Sequence, residues 1–452
     1  MDNRNEELRC YLQPGRRVHL VGIGGVSMRP LGLVLQGMGM AVTGSDMSVS
    51  ASTQELCAKG IPVFIGHQES NICGADCVIR TAAVHNDNPE IAAARSAGIP
   101  VFERAQAWGV IMREYKNAVC VAGTHGKTTT TSMLTHILME AAWDPTVMIG
   151  GYLPLLGAGH RVGNGDTILL ESCEYCDSFL NFAPTLEVIL NVELVHLDYF
   201  PNLEAVQKSF REFALLSSGG VLANGDDAHT AQALEGIQYV TFGFQPHNRV
   251  RGVNICADWR HFDVECDGKF YCHLDLQVLG RHSAMNALAA AGAAYLLGIP
   301  GDAVVFGLAT FAGAERRMQF KGKFHGADVY DDYAHHPDEL AATIDAVKSM
   351  NYQRVVLAFQ PHTYTRTKAL FADFVRELKK PDVVALAEIY AAREHNTVVI
   401  SSADLQKEIP GSVYCKTLPE VTEFLRDTVR EGDVVLTVGA GDIFRAGEAL
   451  LK

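Results

Sequence analysis

The stretch Gly123-Thr-His-Gly-Lys-Thr-Thr129 joins a strand-like run, VCVA, to a threonine-rich helical one, and its residue types suit the holding of phosphate. Backbone N–H groups from Gly123 through Thr124, His125 and Gly126 to Lys127 can wrap phosphate oxygens. Lys127 brings a point charge to the β/γ region, and the Thr128 hydroxyl can ligate Mg²⁺. The usual loop places four residues between its first glycine and the Gly-Lys pair; here only two separate Gly123 from Gly126. Gly-Lys-Thr between a strand and a helix has few purely structural uses, so ATP is the expected ligand.

A second glycine loop lies earlier, in VHLVGIGGVSM. Gly22, Gly24 and Ser27 occupy the three positions of G-x-G-x-x-G, and the two glycines let the backbone turn tightly and approach a pyrophosphate at a helix N-terminus. Asp46, ending the next strand in TGSDMS, stands where an acidic residue grips a ribose. Alone, this pattern admits any dinucleotide-like ligand, a nicotinamide cofactor included, or a tight turn with no ligand. A simple dehydrogenase, however, has no use for the phosphate loop downstream.

Cysteine chemistry is the remaining option. Eleven scattered cysteines, an odd number, in a long acidic chain whose N-terminus MDNRNEELRCYLQPGRR lacks a signal-like apolar core, argue against a disulfide framework. Cys173 and Cys176 form a C-x-x-C after the strand-like DTILLES, with Cys73 and Cys77 as conceivable partners for zinc. Neither pair has the regular spacing of a zinc ribbon, so buried or half-buried thiols are the expectation.

The elements that must position these residues follow from length and pattern. A chain of 452 residues suggests about three domains. The hydrophobic fraction of 48% with 20% charged residues is that of a folded chain. A net charge of −14 argues against a nucleic-acid partner, which needs a basic face, and no run of about 18 apolar residues points to a membrane. A cytoplasmic location is expected.

Strand-like runs alternate with helical ones, the mark of parallel α/β layers. RRVHLVGIGG, MAVTGSDM, IPVFIGH, DCVIRTAAV and IPVFERA outline a doubly wound, Rossmann-like domain over 1–105. NAVCVAGTHGK, PTVMIGG, DTILLES, LEVILNV, GGVLANGDD and QYVTFGF make a central, mostly parallel sheet of phosphate-loop ATPase type over 106–320. The apolar/polar alternation from Arg249 to Gly280 reads as an antiparallel addition to that sheet. SAMNALAAAGAAYLLG is a helix that Gly298 caps. DVYDDYAHH, RVVLAFQP, DVVALAEIY and DVVLTVGAGD form a third, Rossmann-like α/β domain over 321–452.

The two loops, taken with LNVELVHLDYF, DDYAHHPDEL, FQPHTYTRT and VGAGD in this order, resemble the Mur ligases over essentially the whole chain. The resemblance implies a three-domain ligase of peptidoglycan precursor synthesis. It uses ATP and Mg²⁺, or Mn²⁺, to join L-alanine to the carboxylate of UDP-N-acetylmuramate through an acyl phosphate, and works as a monomer or weak homodimer. It also explains the placement of the loops, since the first domain is given to the UDP-sugar and the second to ATP.

Residue by residue, it assigns Gly22, Gly24, Gly25, Asp46, His67 and Thr81 to the UDP-sugar. It assigns the loop Gly123 to Thr129, with His282, Asn286, Arg317 and Asp332, to ATP. Thr128 and Glu171 would hold one metal ion and Glu171 and His196 another, with Lys127, Glu171 and His196 as the catalytic set. The amino acid would meet Tyr333, His335, His362 and, through its carboxylate, the guanidinium of Arg366. The chain departs from the family at Glu171-Ser-Cys-Glu-Tyr-Cys176, where many relatives read E-A-D-E-S-D, and this sets aside the later acids of that stretch. It departs again at Ser283, where Asn is more familiar, and at Thr363, where some relatives carry arginine. A related ligase that attaches a whole peptide, a nicotinamide oxidoreductase and a non-catalytic nucleotide-binding regulator are the other readings.

Overall fold

The computed structural model describes residues 3–452 apart from positions 82, 197, 198, 314, 349, 351 and 393; Leu197 and Asp198 of the motif HLDYF thus lie outside it. By internal contacts the chain forms two compact units. The first comprises Met1–Ile255, Phe262–Asp275 and Met285–Phe311, and the second Cys256–His261, Leu276–Ala284 and Ala312–Lys452.

The first unit holds two sheets. One has five strands, β1 (Arg17–Val21), β2 (Ala41–Asp46), β3 (Val63–Ile65), β4 (Cys77–Arg80) and β5 (Val101–Glu103), in the order 3-2-1-4-5. All neighbours pair in parallel, Val18 standing beside Val42 on one side and Cys77 on the other. The order reverses about β1, and the crevice at its carboxyl end is where such sheets take ligands. Leu20, Ile23, Leu31, Val34 and Trp108 pack the core, all nearly inaccessible.

The second sheet has ten strands: β6 (Asn117–Ala122), β7 (Thr146–Leu153), β8 (Ala158–Arg161), β9 (Thr167–Glu171), β10 (Leu186–Ile189), β11 (Val221–Asn224), β12 (Val240–Gly243), β13 (Val250–Val253), β14 (His261–Cys266) and β15 (Lys269–Asp275). Their order is 15-14-13-12-11-10-6-9-7-8. The strands from β13 to β7 pair in parallel. The antiparallel addition predicted from alternation is present at β13–β14. A second, unpredicted one stands at the opposite edge, where β8 folds back on β7. Central strands of such a sheet are covered on both faces and read as apolar runs, and Val119, Cys120 and Val121 are fully buried.

The helix Arg281–Leu296 ends as predicted at Gly298. Its left-handed φ of +77° lets the Ile299 N–H reach the Ala294 carbonyl and the Gly298 N–H reach that of Tyr295.

In the second unit the strands β16 (Gln319–Phe324), β17 (Ala327–Asp332), β18 (Arg354–Phe359), β19 (Val383–Ala387), β20 (Val413–Cys415) and β21 (Asp433–Val438) take the order 16-17-21-18-19-20. All pairs are parallel except β16–β17, so this sheet takes in residues on both sides of position 320.

Candidate active site

In the first unit the loop that begins at Gly123 leaves β6 at its carboxyl end and turns into the helix Lys127–Glu140. Gly126 has φ +82°, the left-handed region a side chain resists, and a Cβ there would collide with the Asn286 amide oxygen. The loop is held by the segment after β10, which the strand order places beside β6. The His125 N–H donates to Asn191 Oδ1 at 2.8 Å, the Thr124 N–H to the Asn191 carbonyl at 3.1 Å, and His125 Nε2 lies 3.2 Å from a Glu193 oxygen.

The Lys127 amine donates to the carbonyls of Gly123 and Thr124 and to Glu174 Oε2, the last at 3.0 Å. Burial works against its charge, but Glu174 and Cys173 outweigh this and raise its pKa above the ordinary lysine value. Glu174 is almost inaccessible. Burial pushes its carboxyl up, yet Lys127 and His196 hold it down to about 2. His196 Nε2 stands 3.3 Å from Glu174 Oε1; burial opposes its protonation, while Cys173 and Glu174 raise it to about 9. The Thr128 hydroxyl donates to Glu171 Oε1 at 3.0 Å, and Glu171 Oε2 accepts the Gly150 N–H at 2.6 Å.

Lys127, Thr128 and Glu171 therefore meet at the carboxyl ends of β6 and β9, and the observed partner of His196 is Glu174. Glu174, Asn191, Glu193 and Gly150 escaped the sequence reading. Glu174 was set aside because its neighbours depart from the family pattern; the others depend on which strands are adjacent. The cysteine expectation needs correction: Cys77 is buried, but Cys73, Cys173 and Cys176 are exposed, Cys173 standing between the buried Ser172 and Glu174. All eleven cysteines are free thiols, as the scattered spacing implied.

At the other loop, the Gly22 and Ile23 N–H groups donate to the Ser45 carbonyl. Gly22 has φ +82°, and a Cβ on it would stand 2.8 Å from Thr81 Cγ2. Asp46 Oδ2 accepts the Gly24 N–H at 2.8 Å, its other oxygen accepts the Met47 N–H, and Gly25 closes the turn on the Gly22 carbonyl. His67 reaches the Ser45 hydroxyl at 3.2 Å and lies 3.4 Å from the buried Glu90. Ser27, at the third motif position, accepts a hydrogen bond from Arg104. Gly22, Gly24, Gly25, Asp46 and Thr81 are thus one cluster at the carboxyl edge of β1 and β2, with His67 one layer beneath.

In the second unit, Tyr333, His335 and His362 form a chain of rings, 5.6 and 5.8 Å between centroids, and His362 stacks on Tyr390. Burial lowers His335 to about 3 and His362 to about 4, and the Arg366 cation pushes both the same way. Two neutral imidazoles thus stand beside one fixed positive charge. Thr363, before the helix Tyr364–Ala369 that carries Arg366, has φ +67°; its N–H donates to the Tyr390 carbonyl at 2.9 Å. Asp332 accepts the Met318 and Ala334 N–H groups, and burial, opposed by Arg317, pushes it up to about 6. Burial and Arg317 lower the pKa of His282. Arg316 is engaged by Asp331 at 3.0 Å and by the Gly439 carbonyl at 2.6 Å.

Three family models match the chain in succession: "Mur ligase family, catalytic domain" over residues 17–116, "Mur ligase middle domain" over 121–294 and "Mur ligase, glutamate ligase domain" over 316–441. The chain is 42% identical to the UDP-N-acetylmuramate–L-alanine ligase of Caldanaerobacter subterraneus subsp. tengcongensis over 98% of each chain. With that of Agathobacter rectalis it shares 43%, over 96% of this chain and 97% of the relative. The solved UDP-N-acetylmuramate-alanine ligase of Thermotoga maritima aligns with a TM-score of 0.79 at 31% identity, over 96% of this chain and 98% of that one. A murein peptide ligase from Psychrobacter arcticus aligns at 0.72 over 97% and 98%, but at 22% identity it speaks for the fold alone.

Proposed function

The chain belongs to the Mur ligase family, and we propose that it joins L-alanine to the carboxylate of UDP-N-acetylmuramate in an ATP-dependent step of peptidoglycan precursor synthesis. The observation that carries this reading is identity above 40% to curated ligases of that reaction along nearly the entire chain.

A carboxylate and an amine do not condense in water unaided. The γ-phosphoryl group of ATP passes to the carboxylate, the amine attacks the acyl phosphate, and phosphate leaves from the tetrahedral intermediate. Such transfer needs neutralised charge and alignment. The loop from Gly123 to Thr129 wraps the phosphates and Lys127 meets the γ-phosphate. Glu174, 3.0 Å from the Lys127 amine, aims that amine and keeps it charged.

The hydroxyl of Thr128 and the carboxylate of Glu171, 3.0 Å apart, are hard oxygen donors of the kind Mg²⁺ or Mn²⁺ takes. A divalent ion held by them would offset charge on the transferring phosphoryl group. We assign His196, together with Glu171, to a second such ion; as a ligand its imidazole would be neutral. His282, Asn286, Arg317 and Asp332 complete our nucleotide set. Gly22, Gly24, Gly25, Asp46, His67 and Thr81 are our UDP-sugar set, and Tyr333, His335, His362 and Arg366 our amino-acid set. The corresponding domains are 1–105, 106–320 and 321–452.

We place the protein in the cytoplasm as a monomer or weak homodimer, with neither nucleic acid nor membrane as partner. The net charge of −14 supports this, and no helix among the described residues is long and apolar enough to cross a membrane. The test is phosphate release with ATP, Mg²⁺ and UDP-N-acetylmuramate, compared across L-alanine, glycine, L-serine and an L-alanyl-D-glutamyl tripeptide. L-Alanine should lead. A clear preference for the tripeptide would replace the acceptor while leaving the phosphoryl chemistry in place.

A further inference from the structure

Cys173 Sγ, a Glu174 carboxylate oxygen and a His196 ring nitrogen lie within 4.8 Å of one another, and the thiol has no part in the reaction above. The three are held by different means. Glu174 is buried and fixed by Lys127 on its Oε2. His196 sits at φ +52°, sparsely populated for a residue with a side chain, with its ring 4.7 Å from that of Tyr175. Cys173 is exposed and stands between Ser172, whose N–H is tied to the Val121 carbonyl, and Glu174.

We propose that Cys173, Glu174 and His196 form a site for a thiophilic divalent cation of the zinc class, which shares His196 with the Thr128–Glu171 set but adds Cys173 and Glu174 in place of those two oxygen donors, and that filling it inhibits the ligase. The His196–Glu174 separation and the donor chemistry both suit such an ion. Ligands about 2.0–2.1 Å from a tetrahedral ion stand about 3.3 Å apart along the tetrahedron's edge, and His196 Nε2 is 3.3 Å from Glu174 Oε1. Thiolate with imidazole and a single carboxylate selects Zn²⁺, Co²⁺ or Cd²⁺, whereas Mg²⁺ prefers oxygen alone. Three protein ligands leave the fourth position open to water or a phosphate oxygen.

On binding, the thiol and the imidazolium each release a proton to solvent, and the ion takes Glu174 Oε1 while Lys127 is still on Oε2. A dication on that carboxylate draws charge from it and repels Lys127, the cation that meets the γ-phosphate. This inhibitory half rests on the ligase reading; the metal site does not.

The experiment therefore has two readouts. Chelator-stripped protein titrated with Co²⁺ should develop a thiolate-to-cobalt charge-transfer band that saturates near one equivalent and that Zn²⁺ abolishes. Cys173→Ala should lack the band and Cys176→Ala should keep it. In phosphate release with excess Mg²⁺, Zn²⁺ should inhibit the unsubstituted protein at concentrations roughly ten-fold or more below those needed for Cys173→Ala. Absence of the band, or its survival in Cys173→Ala, overturns the site whether or not the protein turns over. Equal Zn²⁺ sensitivity of the two proteins overturns the inhibition.

Discussion

Lys127 directs its amine at two carbonyls of its own loop and at Glu174, so its charge is already fixed in place, and in our reading it meets the γ-phosphate there. Lys127→Ala and Glu171→Ala should each nearly abolish ADP formation, because both act on charge that develops during transfer. Normal turnover in Glu171→Ala would remove it from the metal site. Glu174→Gln keeps the shape but removes the anion that stabilises protonated His196. The His196 titration, followed by NMR, should then fall below about 9, with Cys173 still holding part of the rise; an unmoved midpoint would show that Glu174 has no part in setting it. At the residues we assign to the acceptor, two imidazoles held neutral leave Arg366 as the fixed cation beside them. Arg366→Lys retains charge and loses the forked geometry, so KM for L-alanine should rise far more than KM for ATP or the UDP-sugar. The loss should be of order 1–3 kcal/mol in kcat/KM, and a uniform rise in all three constants would argue against a carboxylate clamp.

Single elements carry their own conflicts. Strand β10 runs between β6 and β11 and bears Glu187, whose carboxylate is fully buried with no hydrogen-bond partner among the described residues. Burial raises its pKa well above the usual carboxylate value, so the folded chain retains a proton that the unfolded chain releases. The sign follows: its contribution is fully present below the unfolded value of 4.5 and is lost as pH climbs toward the folded one. Glu187→Leu should therefore raise the melting temperature, and by a margin that widens from pH 5 to pH 9. A constant margin would mean that packing, not ionisation, is responsible. Period and turn chemistry made the long apolar strands legible in the sequence: every strand of the first sheet and the parallel centre of the second appear where their runs stand. Strands β8, β16 and β20 were not legible. They lie at sheet edges, and β8 and β20 are short, so they bury too little on either face to leave a clear period. The same limit applies to the site. Gly123 to Thr128 announce themselves within one segment, whereas the Asn191 clamp exists only because β10 lies beside β6, an adjacency no local pattern records.

At the scale of the molecule, one chain carries two glycine-rich loops on two different sheets, the Gly22–Ser27 turn after β1 and the Gly123–Thr128 turn after β6. If each serves its own nucleotide, ligand-linked stability should separate them, since a ligand that binds only the native state stabilises it by an amount set by its concentration over Kd. UDP-N-acetylmuramate at about 100 times Kd should add about 2.7 kcal/mol, read as a rise in melting temperature, and Mg²⁺-ATP should give its own rise. NAD(P) should give none. Gly24→Val places a branched side chain where even a Cβ would stand 2.8 Å from Asp46 Oδ2 and 3.0 Å from Thr53 Cγ2. It should erase the UDP-sugar shift by closing the approach to the diphosphate. The ATP shift should persist, because nothing in the Lys127–Glu171–Glu174 cluster touches Gly24. Loss of both shifts in Gly24→Val, with the unliganded melting temperature unchanged, would mean that the two loops act as one site. An NAD(P) shift equal to that of the UDP-sugar would return the first loop to a dinucleotide and leave the ligase without its carboxylate substrate there.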